Sequence, residues 1–317
     1  MSRRIDLPEE YATGAFAVEV ATRAGVKMSS LRTLPNPYRG VRSHVSPDTL
    51  VERASALRLV RRDGFALSHC SAASLYGLPL PSECEHWQIH AMSSGSRARR
   101  PGVVGHRGLE TREVQTVQGQ AVTGLVDTWL DLAPLLTLDE LVVLGDAVAK
   151  RLDSLDALED GAARARTYGR RVREALRWIR VGSASPMETR SRVLCLRGGL
   201  PEPELNAPIH DADGGWLVDG DLVWREAKVL GEYQGEHHFG DYGRGDKDIV
   251  RRRAVEAEGW EYVDFTKDDY YRRARRINLV DRLAAAVGVE PTPAQRAEVA
   301  RGPNLWGPAP GRCTKGA

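Results

Sequence analysis

The sequence predicts an α/β chain of several domains, and three observations carry that expectation. Its 317 residues are more than one small core needs, enough for two or three domains. Stretches with the helical spacing of apolar residues alternate with shorter strand-like runs. Past residue 185, a helix-start signal precedes two strand-like runs that share one tight turn, an α-β-β order. The composition, 42% apolar and 28% charged, is that of a soluble globular protein. A net charge of only +2 does not by itself argue for nucleic acid, so charge placement carries more weight.

Residues 1–45 predict a winged helix-turn-helix unit. A first helix over Thr13–Ala24 is apolar at Phe16, Val20 and Ala24, breaks at Gly25, and resumes at Met28, Leu31 and Leu34. Ala21, four positions before Gly25, is small where two helices must approach, and glycine suits the turn. Ser29, Ser30 and Arg32 project from the second helix, ahead of Pro35-Asn36-Pro37, and Tyr38–Val41 is expected as a strand. Such a helix can enter the DNA major groove. The alternative is a helical hairpin that only packs against its neighbours.

Residues 46–150 predict a small α/β module. A helix over Pro47–Arg62, capped by Ser46, leads to a second helix over Ser68–Leu78. Short strands follow, for example around His86–His90 and Val103–His106, then helices over Gly124–Ala133 and Leu138–Lys150. His69, Cys70, Cys84 and His86 invite zinc, but their spacing fits no usual finger or ribbon, so core thiols and satisfied histidines are expected. Residues 151–182 predict a basic helical linker, with Arg164, Arg166, Arg170, Arg171, Arg173, Arg177 and Arg180. Residues 183–288 form the last domain, and 289–317, rich in Pro and Gly, are expected as a flexible tail. Cys70, Cys84, Cys195 and Cys313 are irregularly spaced and no signal peptide is recognisable, which together predict a reducing cytoplasm. No apolar run reaches the length of a membrane span.

The chemistry concentrates between Ser185 and His238. Ser185 is a helix N-cap, Pro186 suits the first helical position, and Gly198-Gly199 stops the helix that carries Glu188. Asp211-Ala212-Asp213-Gly214-Gly215 predicts a hairpin turn, Trp216–Trp224 a strand, and Lys228–Gln234 the next strand after Arg225-Glu226-Ala227. Asp221 and Glu232 stand 11 positions apart across that turn, so their side chains share one face. Glu232 and Gln234 also share a face. Carboxylate oxygens suit hard cations such as Mg²⁺ or Mn²⁺. The structural alternatives are a capping box for Ser185 and Glu188, a strand-edge acid for Asp221, and exposed loop residues for His237 and His238.

The helix glutamate, the strand aspartate and Glu232-Tyr233-Gln234-Gly235-Glu236-His237-His238 resemble the PD-(D/E)XK nuclease superfamily. More narrowly, they resemble its actinobacterial branch related to very-short-patch repair endonucleases. The resemblance covers roughly the last third of the chain. It implies a restriction-endonuclease-like α/β domain with a mixed central sheet, metal on Asp221, Glu232 and Glu188, and His237 or His238 helping to activate water. Gln234 departs from the pattern, standing where the superfamily has lysine and this branch aspartate. The N-terminal unit and the segment Ala66-Leu67-Ser68-His69-x-x-Ala72-Ala73-x-x-x-Gly77-Leu78 resemble AbiEi-type antitoxins, which implies DNA binding and a possible cognate toxin. Lys247, Arg251 and Arg252, on a helix after the site, would grip phosphate.

The expected function is a metal-dependent DNA endonuclease, targeted by its N-terminal module, in defence or toxin–antitoxin biology. The alternative is a non-catalytic DNA-binding regulator of antitoxin type that keeps a degenerate nuclease fold.

Overall fold

The computed structural model describes residue 11 and residues 13–61, 63–84, 88–235 and 242–302, the side chains of 83 and 242–248 excepted. The chain divides into two compact units, Met1–Leu132 and Ala133–Ala317. Both are mixed α/β, as expected from the alternating periodicities.

The first unit opens with β1 (Ala15–Ala17), α1 (Val18–Arg23), α2 (Met28–Leu31) and β2 (Val41–Ser43). The first helix is therefore shorter than expected. Gly14 takes a positive φ of 72°, and residues 15–17 pair antiparallel with β2, Phe16 opposite Arg42. Strand pairing buries Phe16 beside Tyr11, Ala21, Leu31 and Leu34, which overrides the helical spacing. Ala21 is fully buried and Gly25 turns the chain at φ 89°, as their residue types predict.

Next come α3 (Leu50–Arg58), β3 (Ala66–Leu67), α4 (His69–Leu75), β4 (Ile89–Ser93), β5 (Arg99–Arg100), β6 (Val103–Arg107), β7 (Val114–Val117), β8 (Gln120–Thr123) and α5 (Leu125–Leu132). The cap of α3 is Thr49, not Ser46. The Glu52 N–H donates to Thr49 Oγ1 at 3.2 Å, and the Thr49 N–H donates to Glu52 Oε2 at 3.1 Å. The strands form one mixed sheet in the order β5-β6-β4-β3-β8-β7, parallel at β4–β6 and β3–β8.

The second unit begins with α6 (Leu138–Leu152), α7 (Asp156–Arg164) and α8 (Gly169–Leu176). The unit boundary thus falls after Leu132, and the expected linker 151–182 packs inside the second unit. Val172, Ala175 and Ile179 are buried, and the Arg171 guanidinium donates to the Leu136 carbonyl. The arginines at 164, 166, 170, 173 and 177 stay exposed on the outer side.

α9 (Pro186–Arg197) is clamped to α6 by a buried ion pair. Arg192, 0% exposed, donates to Asp146 Oδ2 at 2.8 Å and to the Trp178 carbonyl at 2.7 Å. The same carboxylate accepts from Thr189 Oγ1 and from the Arg180 N–H, both at 2.8 Å. Then follow β9 (Glu204–His210), β10 (Trp216–Trp224), β11 (Val229–Tyr233), α10 (Tyr242–Ala257), β12 (Glu261–Phe265), α11 (Lys267–Tyr271), α12 (Arg273–Val287) and α13 (Pro293–Arg301).

The sheet runs β12-β11-β10-β9, antiparallel except for the parallel pair β11–β12. One face packs Leu222, Trp224, Val229, Val263 and Phe265 against α9 and α12, while the other packs Val223, Leu230 and Tyr262 against Val255 of α10. The stretch expected to be loose is ordered in part. The expected tail holds α13, capped by Thr292 and Gln295, whose Val299 is buried in the first of these cores. Among the described residues, no helix is long and apolar enough to cross a membrane.

Candidate functional site

The strand pair is built as its sequence predicts. Asp211 accepts from the Gly215 and Asp213 amides at 2.6 and 3.0 Å and closes the turn into β10. Between β10 and β11, Lys228 takes φ 51° and turns the chain back. Leu222 pairs with Gly231, so one step further Asp221 stands opposite Glu232. Their contact is direct at the backbone, where the Asp221 N–H donates to Glu232 Oε2 at 3.4 Å. The Tyr233 N–H donates to Asp221 Oδ2 at 2.7 Å.

Both acids lie on the face that α10 covers, and burial sets their electrostatics. Asp221 is half-buried. Desolvation, then the nearby Glu232 carboxylate, push its acid group up to about 7, against the pull of the Tyr233 amide. Glu232, 8% exposed, is also raised, chiefly by desolvation, while Arg251 opposes the shift. Arg251 Nη2 sits 2.7 Å from Glu232 Oε1.

Glu188 approaches from α9, which packs on the opposite face of the sheet. It is buried and accepts from the Ala184 N–H at 2.7 Å, while its own N–H donates to Ser185 Oγ at 3.2 Å. Ser185 therefore caps the helix as expected, and the glutamate reaches one residue further back than a capping box does. Asn206 links Glu188 to the strands. Its Nδ2 donates to Glu188 Oε2 and to the Gly182 carbonyl, both at 2.9 Å. The register of β9 on β10 sets Asn206 opposite Asp221. Asn206 also holds φ 46°, a left-handed value that asparagine tolerates best among non-glycine residues. Sequence reading missed Asn206, since an asparagine in a seven-residue strand looks ordinary until its neighbour across the sheet is known.

Glu188, Asp221 and Glu232 thus share one neighbourhood without closing into one cage. Among the described residues, the group of three or more ligand atoms lying within 4.8 Å of one another is a different one, His69, His90 and His106. Gln234 follows β11, half-buried, with its N–H donating to the Phe265 carbonyl at 2.7 Å. His237 and His238 lie outside the described residues, as do His86 and the side chain of Lys247.

The candidate DNA contacts on α10 are already engaged. Arg251 holds Glu232, and Arg252 bonds Glu256 at 2.8 Å, lies 3.5 Å from Asp264 and stacks over Tyr262. In the first unit Ser29 and Arg32 are exposed and Ser30 is half-buried. Among the described residues, Cys70 and Cys84 form no disulfide and join no ligand group with His69.

Two Mycobacterium tuberculosis proteins are similar to this chain. They are uncharacterized protein MT2308 of strain CDC 1551 / Oshkosh and uncharacterized protein Rv2248 of strain ATCC 25618 / H37Rv. Each is 29% identical over 247 residues, covering 76% of this chain and 88% of the relative. No family model matches the chain, and no solved structure matches it.

Proposed function

We propose that the second unit is a metal-dependent DNA endonuclease of the PD-(D/E)XK kind, close to the very-short-patch repair branch. In this proposal the first unit carries a winged helix-turn-helix that brings it to DNA. One observation carries the proposal: two half-to-fully buried carboxylates, Asp221 and Glu232, stand side by side, with one guanidinium, that of Arg251, bonded to Glu232. Two buried like charges are costly unless a cation joins them. The donor set is all oxygen and fits Mg²⁺ or Mn²⁺, and Mg²⁺ is usually held by one or two carboxylates with water completing its shell. Asp221 and Glu232 would hold the ion, and Glu188 would assist through water and Asn206. When bound, the ion supplies Lewis-acid stabilisation of the charge that develops on phosphate. Gln234, two residues beyond Glu232, would orient water or polarise phosphate. His237 or His238 would take a proton.

The site also supports a second reading, a DNA-binding regulator without catalysis. Arg251 already neutralises Glu232, and Gln234 brings no charge where the superfamily has lysine. The distinguishing experiment incubates the protein with supercoiled plasmid and linear DNA in Mg²⁺, Mn²⁺ or EDTA, beside an Asp221→Ala, Glu232→Ala variant. Metal-dependent nicking that disappears in the variant is expected. A gel shift without cleavage, unchanged in the variant, supports the regulator. Cleavage that persists in the variant removes these residues from the site.

A further inference from the structure

His69, His90 and His106, in the first unit, have no part in the nuclease proposal. They come from three separate elements. β4 and β6 run parallel, with Met92 opposite His106 and His90 opposite Val104. Alternate residues share a face, so His90 and His106 project from the same side as diagonal neighbours. His69 begins α4, directly after β3, whose Leu67 pairs with Ala91 of β4. The Ser68 N–H donates to the His90 carbonyl at 3.0 Å, which pins His69 beside the pair.

The side-chain geometry is tight. His106 Nε2 lies 3.1 Å from His90 Nδ1, and the His69 ring stacks on His106 with centroids 3.6 Å apart. A ligand nitrogen from each ring falls within 4.8 Å of the other two. Nitrogen ligands on tetrahedral zinc stand about 3.3 Å apart, given Zn–N bonds near 2.0–2.1 Å. Ser68 Oγ lies 3.0 Å from His69 Nδ1; in the tautomer in which Ser68 accepts, the proton sits on Nδ1 and Nε2 is left as the ligand atom. His69 takes φ 49° in this position, a backbone cost that the surrounding structure has to hold in place.

The chemistry selects the cation. The donors are imidazole nitrogens only, with His69 and His90 buried and His106 half-buried at the open side. Arg97 and Arg112 place positive charge nearby, although Arg112 is itself paired with Asp131 at 2.7 Å. Mg²⁺ and Ca²⁺, which want oxygen, gain nothing here, whereas zinc and its neighbours bind neutral imidazole well. Burial lowers His69 well below the usual imidazole range and His106 to about 4, which keeps these two rings neutral.

We propose that His69, His90 and His106 form a zinc-class metal site that joins the start of α4 to strands β4 and β6. It is independent of the acidic site in the second unit. Its role is to fasten the first unit, with water at the open fourth position.

The test titrates the metal-free full-length protein with Zn²⁺ by calorimetry and with Co²⁺ by visible absorption. One equivalent per chain is expected, with a zinc Kd below about 1 µM and the intense visible bands of four-coordinate cobalt. His106→Gln removes the half-buried ligand and is expected to weaken zinc at least about tenfold. The Asp221→Ala, Glu232→Ala variant and a His237→Ala, His238→Ala variant are expected to bind zinc as the parent does. If His106→Gln does not fold, imidazole ¹⁵N shifts of the unaltered protein give the answer, with three rings moving on zinc addition. Absence of zinc binding, parent-like affinity in folded His106→Gln, or unmoved shifts would overturn the proposal and leave a hydrogen-bonded stack of histidines.

Discussion

Losing a proton at Asp221 places a charge in a half-buried pocket beside another carboxylate, and this makes the residue a pH sensor for the whole site. Its acid group is raised from 3.8 to about 7, so the folded chain keeps a proton that the unfolded chain releases. That contribution to stability is complete below about pH 4 and declines as pH rises to about 7. Asp221→Asn is therefore expected to be more stable than the parent at pH 8 and to lose that advantage toward pH 4. Urea midpoints across this range check it, and an unchanged slope in the variant would show that Asp221 does not titrate in that window. The same proton governs metal, since only the carboxylate form binds a cation. In the endonuclease proposal, cleavage rises with pH through about 7, and excess Mg²⁺ shifts the rise to lower pH.

At the scale of elements, α9 decides where Glu188 stands, and the Arg192–Asp146 pair decides where α9 stands. Arg192 has no exposure, so removing Asp146 leaves its buried charge with only the Trp178 carbonyl and a longer, 3.5 Å contact to the half-exposed Glu202. Asp146→Ala is expected to cost about 3–5 kcal/mol, read from urea unfolding, and adding Arg192→Leu to it should recover much of that loss. A loss below about 1 kcal/mol for Asp146→Ala would mean that the clamp is not what holds α9. The elements differ in how plainly their sequences announced them. β10 and β11 were legible because alternation, a glycine turn and a cap are local signals. α1 was not, because pairing with β2 overrode its helical spacing. α13 was obscured by the Pro and Gly around it, although Thr292-Pro293-Ala294-Gln295 is itself a capping box.

On the scale of the molecule, the division after Leu132 leaves no described sheet shared: the first unit has a two-stranded and a six-stranded sheet, the second a four-stranded one. Fragments 1–132 and 133–317 are each expected to unfold cooperatively in urea, the second keeping any metal-dependent nicking and the first any zinc binding. A fragment without a sigmoidal transition would show that its core needs the rest of the chain. The sequence by itself determined the α/β class, the two central strands of the second unit's sheet, and the meeting of Asp221 with Glu232, since 11 residues through one tight turn leave that pair little freedom. Tertiary structure alone decided that Glu188 reaches the strands through Asn206, that Arg251 holds Glu232, and that His69, His90 and His106 converge. Those meetings depend on strand order and helix packing between residues far apart in the chain, and no local preference carries that information.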